Sequence, residues 1–219
     1  MTKTLLDIYN RLHAHFGPQH WWPAENPFEV MIGAILTQNT AWSNVEKAIA
    51  NLKRRKLLSP RKIERIHPRT LAVAIRPSGF YNEKAKKLKA FIKFLISFTG
   101  GNINKLRSNG TALLRKKLLG IKGIGEETAD SILLYALNKP IFVVDAYTKR
   151  VFTRHKLISK DAAYGEIQRF FMNNLPRRVK LFNEYHALIV EAGKNYCKKN
   201  NPLCKICPLK DFKYDKNMV

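Results

Sequence analysis

The sequence predicts an all-α fold, on three observations. Apolar residues recur at spacings of three and four in window after window, Pro and Gly divide those windows into lengths ordinary for helices, and only one short run reads as a strand.

Taken in order, Leu5, Ile8, Leu12 and Phe16 form one apolar stripe on an N-terminal helix. Phe28, Met31, Ile32 and Ile35 form another after Pro23 and Pro27, and Leu88, Phe91, Ile92 and Leu95 mark a third ahead of Gly100 and Gly101. Ile132, Leu133 and Leu137 mark a fourth. Pro60, Pro68, Pro77, Pro140, Pro176 and Pro202 supply the remaining breaks. The run "IFVV" at 141–144 is too short and isolated to found a sheet. With no internal repeat and no linker, any two domains must be interleaved by the chain.

At 219 residues and 45% hydrophobic content the chain can bury a real core. Forty Lys and Arg against 16 Asp and Glu leave a formal net charge of +24. That excess repels itself in the compact state unless a polyanion is the partner, which points to nucleic acid. A surface merely rich in lysine is the bland alternative. The basic residues are spread along the chain, which favours a folded binding surface over a disordered arm. No apolar run approaches the roughly 20 residues that span a bilayer, so we expect no membrane partner and a cytoplasmic, nucleoid-associated protein. Cys197, Cys204 and Cys207 are odd in number and clustered, a pattern better suited to metal ligation than to disulfides.

The first functional pattern is "GIKGIGEETADSILLYAL". Leu113 to Leu119 as one helix, the glycine turn, and Glu126 to Leu137 as a second helix make a helix-hairpin-helix. Amides freed at the start of the second helix bind a phosphate without side-chain charge, with Lys122, Gly123 and Gly125 in the turn. Carbonyls of the same turn can hold a monovalent cation against that phosphate. A plain glycine-containing turn fits the same residues. The segment "KPIFVVDAYTKRVF" then puts Asp145 at a loop-to-helix junction, where it can cap the helix that follows.

Hairpin, second helix and an apolar step into V-D together resemble the endonuclease III superfamily of helix-hairpin-helix DNA glycosylases. "NPFEVMIGAILTQNT" and "RPSGFYNEKAKKL" are similar to other segments of that family, so the resemblance spans nearly the whole chain. It implies a two-lobed helix-hairpin-helix glycosylase fold with the active cleft between lobes. Residues 24–137 would form one helical lobe, and residues 1–23 with 138–219 the other. It also implies that Asp145 is catalytic and that the partner is double-stranded DNA carrying a damaged base, bound by a monomer.

In the bifunctional branch, the position of Glu127 carries the lysine that attacks the sugar. A carboxylate there removes the nucleophile for covalent catalysis. Lys122 is the nearest amine in sequence, but it should face phosphate. The chain therefore reads as a monofunctional glycosylase, and the aromatics of its base pocket are similar to those of the 3-methyladenine DNA glycosylase branch. Anionic Asp145 would stabilise the oxocarbenium ion of the sugar and orient water, once the base has left the stack. Glu127 either lines the pocket or is a solvated acid suited to the helix dipole.

The base pocket is drawn from "HWWPAENPF" and "LTQNTAW". His20, Trp22 and Trp42 are placed in it, and Trp21 is taken as a core anchor. A positively charged alkylated purine stacks well on electron-rich indoles. Gln38 resembles the residue that fills the gap left by the flipped nucleotide. Phe80 resembles the wedge at the opposite strand, an ordinary core position being the alternative.

The family's cysteine loop is C-x6-C-x2-C-x5-C, and Cys197, Cys204 and Cys207 match its first three positions while Lys213 stands at the fourth. The resemblance implies a [4Fe–4S] cluster with a structural role. With only three thiolates the open readings are a non-cysteine ligand such as Asp211, Tyr214 or Asp215, a [3Fe–4S] form, zinc with a fourth ligand from elsewhere, or a loop without metal. The function expected is a monofunctional glycosylase for alkylated purines in base excision repair. The rivals are a glycosylase for mismatched or deaminated bases, a lyase using another lysine, and a DNA-binding module without catalysis.

Overall fold

The computed structural model describes residues 1–213, and Tyr214 and Asp215, two of the expected fourth ligands, lie outside that range. In chain order the α-helices are α1 (Thr2–Phe16), α2 (Pro27–Leu36), α3 (Trp42–Arg54), α4 (Pro60–Arg65), α5 (Pro68–Ala74) and α6 (Tyr81–Thr99). They continue as α7 (Ile103–Arg107), α8 (Thr111–Leu119), α9 (Glu126–Ser131), α10 (Ala146–Arg154), α11 (Tyr164–Asn174) and α12 (Val179–Asn195). The described residues contain no strand, and "IFVV" runs as irregular backbone into α10. The chain forms two compact units, Trp22–Lys139 and Met1–Trp21 with Pro140–Val219.

In the first unit, α2 is buried along its length from Phe28 to Leu36, as a helix apolar on all sides must be. Three of the prolines that punctuate the sequence begin helices instead of merely separating them. Pro27, Pro60 and Pro68 each take the first helical turn of α2, α4 and α5, where a missing N–H costs nothing. Asn26 caps α2 by accepting from the Glu29 amide at 3.0 Å. The expected single helix from Glu126 to Leu137 is instead α9 followed by a π-helical stretch, Ile132–Ala136, closed by the Leu137 amide on the Ile132 carbonyl at 3.1 Å. That wider turn re-aims the side chains that follow it.

In the second unit, Leu5, Ile8 and Leu12 of α1 are buried, and the Tyr185 hydroxyl of α12 donates to the Leu5 carbonyl at 2.8 Å. An aromatic core forms around Phe142, whose ring stacks on Phe171 at 4.0 Å between centroids and meets Phe182 edge-on. This core anchors the irregular segment that leads to Asp145. Helices α10 and α12 pack closely because Gly193 has no side chain: a Cβ there would stand 2.4 Å from Cδ1 of Tyr147. No helix is long and apolar enough to cross a membrane among the described residues.

Candidate active site

Asp145 is the N-cap of α10, and its Oδ1 accepts from the Thr148 amide at 2.7 Å. Capping fixes the carboxylate and leaves Oδ2 available to a reacting group. Two contacts hold the approach to it: Gln168 Nε2 donates to the Phe142 carbonyl at 2.7 Å, and the Val144 amide donates to the Tyr164 hydroxyl at 3.3 Å. Oδ2 lies 3.6 Å from Nε2 of His186, a buried histidine of α12. Burial pushes the His186 imidazole down from its ordinary value of 6.5, with Asp145 opposing, so the ring is neutral near pH 7. Sequence reasoning missed His186. Its only mark is a titratable ring within the apolar stretch "HALIV".

The hairpin turn runs from Gly120 to Gly125. Gly123 has φ +89, and a Cβ there would stand 2.6 Å from Cγ of Lys87, so both the backbone conformation and the lysine stem require glycine. Arg115 of α8 locks the two hairpin helices together. Its Nε donates to Asp130 Oδ1 at 2.8 Å, its Nη2 to Asp130 Oδ2 at 3.1 Å, and Nη2 also reaches Glu126 at 3.2 Å. Asp130 is 0% exposed, so this forked pair is an internal strut. Lys122 and Glu127 are both exposed, Glu127 in the first turn of α9.

Gln38 does not extend freely from its loop. Its side-chain amide donates to the Gly123 carbonyl at 3.1 Å and to the Thr128 hydroxyl at 2.9 Å, and its oxygen accepts from Lys87. Phe80 is 70% exposed and sits in left-handed backbone, φ 44 and ψ 32, at the start of α6. A bulky aromatic in that conformation is strained and unburied. The core alternative for Phe80 is therefore wrong: the turn that begins α6 directs the ring to solvent.

Trp22 and Trp42 come together edge-to-face, with centroids 5.0 Å apart and planes at 89°. Tyr135, from the π-helical stretch, is 5.3 Å from Trp22 and was not foreseen. Gly33 makes room for this group, since a Cβ on it would stand 3.3 Å from Trp22 Nε1. Beside the two indoles is a pocket of about 230 Å³, also lined by Glu29, Glu46 and Lys53. Lys53 bridges Glu25 and the buried Glu29, at 2.8 Å each. In the other unit, His20 is exposed with φ 50. Trp21 is half-buried, not a fully enclosed anchor, and Lys194 lies over its ring at 5.7 Å.

Cys197, Cys204 and Cys207 line one pocket together with His155 and Arg154. Arg154 donates to Cys197 Sγ at 3.3 Å and to the Lys198 and Lys199 carbonyls, and Arg150 donates to the Cys197 carbonyl at 2.6 Å. Both arginines belong to α10, so the cysteine loop is fastened to the helix that Asp145 caps. The Leu209 amide donates to Cys207 Sγ at 3.4 Å. Burial pushes the Cys204 and Cys207 thiols up. Among the described residues, no three His, Cys, Asp or Glu side chains are gathered tightly enough to hold a single metal ion. Asp211 pairs with Arg11 at 2.9 Å, and Lys213 contributes its carbonyl to His155 Nδ1 at 3.2 Å.

Residues 32–177 match the family model described as HhH-GPD superfamily base excision DNA repair protein. The chain belongs to this superfamily. A Methanocaldococcus jannaschii protein, named as a candidate DNA repair glycosylase, is 50% identical over 211 residues, 96% of each chain. Among solved structures of the HhH-GPD fold, H. pylori 3-methyladenine DNA glycosylase bound to 1,N6-ethenoadenine matches with TM-score 0.76 at 32% identity, over 87% of this chain and 97% of that one. A non-covalent endonuclease III–DNA complex matches with TM-score 0.83 at 22% identity, over 97% and 95%, which shows a shared fold alone. The HhH-GPD assignment makes this chain a DNA glycosylase of base excision repair.

Proposed function

We propose that the chain is a monofunctional DNA glycosylase that hydrolyses the N-glycosidic bond of alkylated purines such as 3-methyladenine. The observation that carries this reading is Glu127: a carboxylate, not an amine, occupies the first turn of the second hairpin helix. Without an amine there, the step left to the protein is attack by water on C1′ as the base departs. Asp145, held by its cap, faces the developing oxocarbenium charge and orients the water, while neutral His186 adds no positive charge beside that anion.

The substrate class is supported by Trp22 and Trp42 at the pocket, with Tyr135 packed behind Trp22. Electron-rich aromatic faces favour a cationic base over a neutral one, while Glu29 is already paired with Lys53. The H. pylori protein, which binds a modified adenine, supports it independently. Exposed Phe80 and hairpin-bound Gln38 are the side chains we assign to the opened duplex, as wedge and gap-filler.

The cysteine pocket fits an iron–sulfur cluster in three of four ligands. Two of its sulfurs already accept hydrogen bonds, as cluster thiolates do. His155 lines the same pocket and is the side chain we assign to the fourth position, because Asp211 is engaged with Arg11. When bound, the cluster would supply a cross-link that shapes the lysine-rich loop, with no part in base release.

A panel of duplexes with single lesions, scored with and without hot alkali, tests the whole reading. Release of alkylated purines with strands uncut before alkali is expected. Excision of uracil or mismatched thymine instead would reject the substrate class.

A further inference from the structure

Lys84 is 2% exposed, an unusual place for an ammonium group. Its Nζ donates to the Leu36 carbonyl at 2.8 Å and to the Ser78 carbonyl at 2.6 Å. Leu36 ends α2, two residues before Gln38, and Ser78 lies two residues before Phe80. Each acceptor thus lies two residues before one of the two duplex-entering side chains, at the base of the loop that carries it. Both loops bend through left-handed backbone immediately afterwards, at Asn39 and at Gly79 and Phe80. Burial, with Lys87 adding repulsion, pushes the Lys84 ammonium down to about 8. A group held at that desolvation cost, with two carbonyls for hydrogen-bond partners, is not explained by α6 packing alone: a leucine or methionine would fill the space more cheaply.

We propose that Lys84 is a positioning residue that fastens the Gln38 loop and the Phe80 loop to a single ammonium, so that gap-filler and wedge enter the duplex as one unit. This rests on the assignment of Gln38 and Phe80 to the opened duplex. Coupling of this kind sets where both side chains start, and it makes displacement of one loop felt by the other. Lys87, one turn further along α6, holds Gln38 itself, so the same helix face controls both the loop base and the loop's working side chain.

Single-turnover excision from lesion duplex tests the proposal with Lys84→Met and Lys84→Gln, each alone and combined with Gln38→Ala and Phe80→Ala. Expected is a slowing of about tenfold by either Lys84 variant in the wild-type background and of less than about twofold once Gln38 and Phe80 are alanine. Equal slowing in both backgrounds, or none in the wild type, would overturn it. If the Gln38→Ala, Phe80→Ala pair excises at the wild-type rate, the assignment of those two side chains fails and the proposal falls with it. Hydrogen exchange on the unmodified protein keeps the test open if the variants do not fold. Amides in 37–41 and 78–80 should share one opening rate, and two distinct rates would count against the coupling.

Discussion

Oδ2 of Asp145 lies 3.6 Å from Nε2 of a buried, neutral His186. The separation is longer than a hydrogen bond and short enough that protonation of the ring would neutralise the carboxylate's field. Asp145→Asn should therefore abolish base release, by at least about 100-fold, while protein stability holds, because Asn caps a helix as well as Asp does. DNA affinity should survive on the hairpin and the basic surface. A variant that releases base at near wild-type rate would remove Asp145 from the chemistry.

Acid should act through His186. Its folded value lies below the ordinary 6.5, so the unfolded chain takes up the proton first as pH falls. The contribution of the neutral ring to stability is complete above about pH 6.5 and is lost as pH drops from there toward the folded value. The melting temperature of wild type should thus fall more steeply across that window than that of His186→Gln. Parallel curves would mean the ring does not titrate with folding.

On the proposed monofunctional reading, position 127 decides the product. Wild type should leave the strand uncut until hot alkali, and borohydride should trap no covalent complex. Glu127→Lys places an amine in the first turn of the second hairpin helix, and should yield some trapped complex on abasic DNA. Efficient trapping by wild type, indifferent to changes at 127, would show that another lysine is the nucleophile.

For the pocket, Trp42→Ala should lose roughly 1 to 3 kcal/mol of stacking on the extruded base. Release of 3-methyladenine should slow more than binding to undamaged DNA weakens. Equal losses on both would make Trp42 a packing residue against Trp22.

The cysteine pocket predicts colour. Anaerobically purified protein should be brown and contain iron, and Cys204→Ser should bleach it. Colourless protein carrying one zinc would overturn the cluster.

Sequence and structure part company at definable places. Helical periodicity was legible in Leu5 to Phe16 and Phe28 to Ile35 because one-sided burial imprints a spacing on the chain. The π-helical stretch was not, since widening one turn changes which way Tyr135 faces without changing composition. Asp145 could be singled out because capping and catalysis ask for the same residue type at a helix start. His186, Arg115 and Lys84 could not: one partner of each lies 41, 15 and 48 residues away, and only the folded chain brings them together. Edge-to-face packing of Trp22 on Trp42 was likewise invisible, because spacing fixes proximity but not ring angle.

The strut from Arg115 to Asp130 has a thermodynamic corollary. A turn whose two flanking helices are already cross-linked has little disorder left to surrender when phosphate arrives, so capture of the backbone should proceed with a small entropic penalty and fast kinetics. On the proposed reading of the hairpin, severing the strut without stranding its buried carboxylate, as in Arg115→Met combined with Asp130→Asn, should leave the turn amides chemically intact yet turn their engagement with phosphate into coupled ordering. Calorimetry would register that as a more negative binding entropy on undamaged duplex, before any lesion is recognised.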